Sequence, residues 1–254
     1  NCRFIEDMKL QSPLLHVRAL EALADPDCGW FYRANASGFD AIPGSPIAYW
    51  LSSGFLHCFK KHQKLGEVAD PKQGSTLGDN ARFLRLWHEV GTNKRKWTRC
   101  MKGGPYRKWY GNHDYYVNWE HSGKEIKETG RATIRSEKML FQEGITWSNI
   151  CTGMASFRYM PEGFFFESTG TVCFAKKRNL LFLLAFLNSS VASYINKAIN
   201  PTLHLQSGDV AKLPMAPDAG HDEVASIVTD CIALAQNDWD SYETSWDFEK
   251  HPLV

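Results

Sequence analysis

The sequence predicts an α+β fold: a body of short strands in a mixed or antiparallel sheet, a long buried helix, and a helical C-terminal appendage. Three observations carry this expectation. Between residues 66 and 147 short β-type runs alternate with Gly, Asn and Asp turns. Residues 179–199 read as one long helix whose first half is apolar on every side, the pattern of a buried segment. Beyond Pro214 and Pro217 an amphipathic helical pattern replaces the strands.

Taken in order, Ser12-Pro13 opens a helix through Leu23, with Ser as cap and Pro in the first turn, and Asp25-Pro26 ends it. Ser45-Pro46 reads as a second start, because Ile47, Trp50, Leu51 and Phe55 make a helical stripe. Strands are expected at 83–90, 115–119, 145–150, 157–160, 164–166 and 172–174. The 179–199 helix ends at Pro201, and its polar Asn188, Ser189 and Ser190 are expected to satisfy buried backbone. A final amphipathic helix near 222–236 leads to an aromatic, acidic tail at 239–253.

The net charge of +1 hides a split. Residues 218–254 hold nine acidic groups and one basic one, Lys250, so residues 1–217 hold 28 basic against 19 acidic, a surplus of nine. A basic body points to an anionic partner. The seven Cys are odd in number and none forms a CxxC pair, which argues for reduced thiols in a cytoplasmic protein rather than a disulfide framework or zinc site. The nine His show no HExxH spacing. The longest apolar run, 180–187, is too short to span a bilayer, and no signal peptide opens the chain, so no membrane role is expected. The first residue is Asn, so the chain is expected to be a fragment.

The run 93–109 carries seven basic residues and no acid, with Trp97, Tyr106 and Trp109 between them. Lys102, Arg107 and Lys108 suit phosphates, aromatics can stack, and Gly103-Gly104-Pro105 makes a loop able to enter a groove. Tyr110-Gly111-Asn112 continues it. The competing reading is a solvated basic strand pair. The polar loop from Lys72 through Gln73, Gly74, Thr76, Gly78, Asp79 and Asn80 to Arg82 offers groups for adenine edges, guanine edges and phosphates, or else serves turn geometry. Ser156, Arg158 and Tyr159 form a third group, where Arg158 could instead pair with an acid on a neighbouring strand.

Catalytic patterns are missing from the sequence. Adenine-N6 methylation uses an Asn/Asp-Pro-Pro-Tyr/Phe pocket for a flipped base; Asn200-Pro201-Thr202-Leu203 fails at its last two positions. No Gly-rich strand-to-helix turn suits a nucleotide-like cofactor. Asp70-x-Lys72 and Glu125-x-Lys127 are nuclease-like triplets of low specificity, and Glu143 and Asp209 have no evident carboxylate partner. The chain reads as a binder.

A series of blocks then points to a family. These are Ile42 to Trp50, Leu65-Gly66-Glu67-Val68, Lys72-Gln73-Gly74, Gly78-Asp79-Asn80, Arg82 to Arg85, Arg107 to Asn112, Val117 to Glu120, Gly144 to Ser148, Ser156 to Tyr159 and Leu187-Asn188-Ser189. Asn200 to Leu203, Gln206-x-Gly208-Asp209, Leu213-Pro214 and the tail blocks Asp238 to Ser241 and Glu243 to Phe248 complete it. In order and spacing, over about 31–253, they resemble the C-terminal half of PglX-like adenine-specific methyltransferases of BREX phage defence and similar fused restriction-modification methylases. The Lys-Gln-Gly, Gly-Asp-Asn and Leu-Asn-Ser blocks are also similar to TaqI-like specificity domains.

The resemblance implies a target-recognition domain at 31–217, an N-terminal helical linker at 1–30, and an acidic helical appendage at 218–254. It implies double-stranded DNA as partner, together with a methyltransferase domain of the same polypeptide and other defence-system proteins. S-adenosylmethionine would belong to that domain, with no cofactor or metal expected here. Within this reading Lys72, Lys102, Arg107 and Lys108 are assigned to phosphate. Gln73, Asn80, Arg82, Asn112 and Arg158 are assigned to base edges, with Thr76 and Ser156 beside them. Trp109, Tyr110 and Tyr159 would shape loops or stack. Two alternatives stay open: a protein-interaction module of a defence complex, and a small nuclease.

Overall fold

The computed structural model describes residues 2–5, 12–91, 96–151, 153–200, 202–215, 221–251 and 253–254. Lys94 and Arg95 of the basic run, Pro201 and Pro217 lie outside the described residues. The chain divides into two compact units, Asn1–Gln63 and Lys64–Val254.

In the first unit, strand β1 (Cys2–Ile5) pairs antiparallel with β2 (Phe31–Ala34), and helices α1 (Ser12–Ala24) and α2 (Ser53–Lys61) and a 3-10 turn at Ala36–Ala41 accompany them. The expected helix start at Ser45-Pro46 is corrected here. Gly44 (φ 92°) and Ser45 (φ 45°) form a left-handed turn, Ala48 N donates to Pro46 O, and the chain becomes helical only after Ser52. The turn takes up the residues that a cap and first helical turn would need.

The second unit contains short α3 (Leu65–Val68), β3 (Ala69–Lys72), α4 (Asn80–Phe83), β4 (Leu84–Leu86), β5 (Trp97–Met101), β6 (Tyr115–Asn118) and α5 (Glu120–Glu128). Strands β7 (Gly144–Ser148), β8 (Phe157–Met160), β9 (Phe165–Phe166) and β10 (Gly170–Ala175) follow, then helices α6 (Lys177–Asn188), α7 (Ser190–Ile199), α8 (Ser207–Ala211) and α9 (His221–Asp240). The fold is α+β. One sheet has the order β3-β10-β7-β8 and is antiparallel throughout. The other has the order β4-β6-β5-β9 and is mixed, because β5 and β9 run parallel.

The core joins both sheets: Met101, Val117, Phe164, Phe165 and Phe166 pack with Met160, Val172 and Phe174. Gly170 allows the crossing, since a Cβ there would stand 2.5 Å from Met101 O. Strand expectations at 115–119, 145–150, 157–160, 164–166 and 172–174 find strands within a few residues. The run 83–90 does not form one strand. Asp79 Oδ1 accepts from Arg82 N at 3.0 Å and winds Asn80–Phe83 into a helical turn, and Trp87–Glu89 is 3-10.

The expected single helix at 179–199 is two, α6 and α7, bent by 73°. Ser189 adopts an extended conformation and its Oγ accepts from Ala192 N at 3.1 Å, so it caps α7. Leu180, Leu183, Leu184 and Leu187 are buried, and α9 packs along α6. Among the described residues no single helix is long and apolar enough to cross a membrane.

Candidate nucleic-acid interface

The three candidate groups converge on two junctions. The first lies beside β8. Residue 109 extends the sheet by one position: Trp109 N donates to Phe157 O at 2.9 Å and Tyr159 N donates to Trp109 O at 2.8 Å. Trp109 (φ 72°), Gly111 (φ 112°) and Asn112 (φ 62°) turn the chain sharply after this contact. Gly111 is required there, because a Cβ would stand 2.9 Å from the Trp239 ring.

Arg158 sits under this loop and is 1% exposed. Its Nη1 donates to Arg107 O at 3.2 Å and Ser156 Oγ at 3.4 Å, and Nη2 reaches Ser148 Oγ at 3.5 Å. Burial, and then the charge of Arg107, bring its pKa down to about 10. Its Nε has no partner. Among the described residues no carboxylate lies within ion-pair distance of it; the acid whose charge acts on it is Asp114, which opposes the fall in its pKa. Asn112 is also buried; its Nδ2 donates to Pro105 O at 3.0 Å. Tyr159 donates to Glu143 Oε2 at 2.8 Å, and burial together with that carboxylate raises its pKa to about 12. Tyr110 is buried against His113, ring centroids 4.6 Å apart.

The second junction centres on Glu167, which sequence reasoning passed over. Burial pushes its carboxyl up, but the Thr169 N–H, the Thr169 and Ser168 hydroxyls and Lys102 outweigh burial and hold it below the usual range. Lys102 Nζ lies 3.6 Å from its Oε2. The polar 72–80 loop runs past the same residue: Ser75 N donates to Phe166 O at 3.1 Å and Ser168 N donates to Ser75 O at 2.9 Å. Thr76 pairs with Thr133 through main-chain bonds of 2.9 and 3.0 Å. The signal for this junction was an acid followed by Ser168-Thr169-Gly170, a turn whose own donors wrap the carboxylate.

Each candidate cation has an internal partner. Lys72 pairs with Asp70 at 2.7 Å, Arg82 with Glu125, and Arg107 with Asp238 at 2.8 Å; Lys108 Nζ donates to Asn188 O at 2.8 Å. Lys72 and Arg82 have side chains 38% and 55% exposed, so those pairs are worth little. Asn80 opens α4, and Gln73 follows β3 in the same loop. The acidic tail packs on this face: Arg107 lies 5.1 Å over the Trp239 ring, and Asp247 receives two 3.0 Å bonds from Arg99 Nη2. Among the described residues no group of three or more His, Cys, Asp or Glu could hold a metal.

No protein-family model matches the chain. Two curated proteins are similar to it. The adenine-specific methyltransferase PglX of Lacticaseibacillus casei (strain Zhang) is 39% identical over 259 residues, covering 92% of this chain and 21% of that protein. The adenine-specific methyltransferase BrxX of Escherichia coli O9:H4 (strain HS) is 39% identical over 235 residues, covering 88% of this chain and 19% of its own length. The chain thus spans about a fifth of the curated relatives it matches.

Proposed function

We propose that this chain is the DNA-reading region of a larger adenine-specific methyltransferase of the BREX type, active in the cytoplasm. Methyl transfer from S-adenosylmethionine is the work of a separate catalytic domain in the same polypeptide. The observation that carries this reading is the 39% identity across 92% of the chain to a protein named for adenine-specific methylation. The loop geometry supports it: the 72–80 and 102–112 loops, the richest in groups that suit DNA, both border residues 156–169.

Within this reading Lys72, Lys102, Arg107 and Lys108 hold phosphates, and Gln73, Thr76, Asn80 and Arg82 face base edges. Arg158, Asn112, Ser156 and Tyr110, which are buried, shape the second loop, and Trp109 and Tyr159 join its frame through main-chain bonds. Residues 31–217 supply the reader, 1–30 the link to the catalytic domain, and 218–254 a covering appendage. Other defence-system proteins are further partners of the assembly.

The test is binding of the chain to a randomised duplex library across a salt series. Salt-sensitive binding with enrichment of an asymmetric, adenine-containing motif is expected. Salt-insensitive or absent binding by the folded chain would replace this reading with a protein-interaction module.

A further inference from the structure

The segment 131–135 pairs with the polar 72–80 loop as a short ribbon. Besides the main-chain bonds between Thr76 and Thr133, Ser75 Oγ accepts from Arg135 N at 3.0 Å and donates to Arg135 O at 3.3 Å. Arg135 Nη1 donates to Gly74 O at 3.4 Å. At the other end Gly78 (φ 76°) lies against Arg131, where an added Cβ would stand 2.8 Å from the Arg131 carbonyl carbon. A side chain at 78 would therefore displace Arg131. The side chains alternate: Ala132 and Ile134 pack on the core, while Arg131 and Thr133 are exposed. Thr76 and Thr133 are directly opposed and share a face, so Arg131, two residues from Thr133, belongs to the face that presents Thr76.

Positive charge on this ribbon is uncompensated. The acids of neighbouring elements are engaged elsewhere: Glu125 with Arg82, Glu128 with Lys124, Glu137 with Lys127 and Glu167 with Lys102. Asp79 Oδ1 accepts from Arg82 N. Among the described residues no carboxylate lies within ion-pair distance of Arg131 or Arg135. The Arg135 guanidinium is turned onto Gly74 O, which leaves Arg131 as the exposed cation on a fixed main chain. Lys72 and Arg82 must leave Asp70 and Glu125 before they meet an anion; Arg131 gives up no carboxylate. A main chain held in place lowers the ordering cost of binding through that side chain.

We propose that Arg131 grips a backbone phosphate of duplex DNA beside the face that carries Thr76, which makes 131–135 the second half of this reading loop. The inference rests on the DNA-reading proposal for its partner. Its own ground is the uncompensated cation and the ribbon that fixes it. A phosphate contact positions the duplex and carries no sequence preference of its own, so Arg131 sets affinity and register while the 73–82 side chains face the bases.

Fluorescence anisotropy of a mixed-sequence duplex with the full 254-residue chain, across a salt series, tests this. Arg131→Gln should lower the slope of log affinity against log salt by about 0.9, a roughly eight-fold loss of affinity at 0.1 M salt. Arg131→Lys keeps the point charge and should restore the slope. Because Arg131 is exposed, both variants should unfold at the wild-type thermal midpoint. Arg178→Gln is the control. Arg178 is exposed and follows Ala175, which faces Ala69 at the opposite end of β3 from Lys72, so its slope should match wild type. A wild-type slope in Arg131→Gln overturns the proposal and leaves the DNA reading standing. An equal loss in Arg178→Gln overturns it too, because net charge alone then explains the effect. Arg131→Lys binding as weakly as Arg131→Gln overturns it in favour of a base-edge contact. Polyglutamate is the second probe and should bind far more weakly than duplex. If it binds as tightly and depends on Arg131, the partner is an acidic protein and both proposals fall. Both also fall if the folded wild-type chain binds no duplex at any salt.

Discussion

Asn188, the last residue of α6, takes both main-chain groups of Phe157 in β8: its Oδ1 accepts from Phe157 N at 3.1 Å and its Nδ2 donates to Phe157 O at 2.9 Å. The side-chain amide thus acts as one more strand residue at the sheet edge. The same carbonyl of Phe157 also receives Trp109 N, and the main-chain oxygen of Asn188 receives Lys108 Nζ. Helix, strand and basic loop meet at one buried amide. Asn188→Ala leaves Phe157 N without a partner and should cost about 2 kcal/mol in urea unfolding. DNA affinity should fall with it, because the 107–109 loop loses its anchor. A mutant that unfolds at the wild-type midpoint would show that the amide contributes nothing.

The Lys72-Gln73-Gly74 block has a steric explanation. A Cβ at Gly74 would lie 2.1 Å from Glu167 O, so the loop can pass the Glu167 turn only as glycine. Gly74→Ala should destabilise by about 3 kcal/mol or more, since backbone must move on one side. Gly208, in α8, is the counter-case, with nothing within 4 Å of its added Cβ. Gly208→Ala should stabilise by about 0.5–1 kcal/mol through the helix propensity of Ala. Thermal unfolding of the two variants checks both signs.

His113 is buried among Tyr110, Phe164 and Trp239, and its Nε2 has no partner. Burial first, then the charges of Arg99 and Arg158, lower its pKa from 6.5 to about 3. The unfolded chain binds the proton more readily, so stability is full above about pH 6.5 and falls as pH drops towards 3. The expected slope from this group is about 1.4 kcal/mol per pH unit. His113→Phe keeps the ring packing and should flatten this acid limb. If both proteins lose stability equally between pH 6.5 and 5, His113 is not the cause.

Asp238 and Asp247 occupy Arg107 and Arg99 on the face assigned to DNA. Under the DNA-reading proposal, phosphates would compete with these carboxylates for the same guanidinium groups. Asp238→Asn with Asp247→Asn should therefore raise duplex affinity and steepen the salt dependence by about one unit per cation released. Unchanged slopes in the double variant would mean that Arg107 and Arg99 stay bound to the tail or never meet phosphate.

Much of the fold is readable in the chain because periodicity is local. The strands at 157–160 and 172–174 and the helix after residue 221 follow from apolar spacing and turn residues alone. The break between α6 and α7 is less legible. Ser189 lies in the polar triplet 188–190 between two apolar stretches, and only the cap geometry distinguishes a bend from a helical interior with buried polar groups. The left-handed Gly44-Ser45 turn likewise overrides a helical stripe at 47–55.

The sequence by itself determined the α+β class, the charge split between basic body and acidic tail, and the loops that carry the candidate side chains. These depend on residue type and spacing along the chain. Only the tertiary structure decided the state of those side chains: that Arg158 is a buried support beneath Ser156, that Lys102 belongs to Glu167, and that the tail returns onto Arg107. Arg107 and Asp238 are 131 residues apart in the chain, and Lys108 and Asn188 are 80 apart. Hydrogen bonds and ion pairs act over a few ångströms, so partners at such separations are chosen by chain packing, which no local pattern encodes.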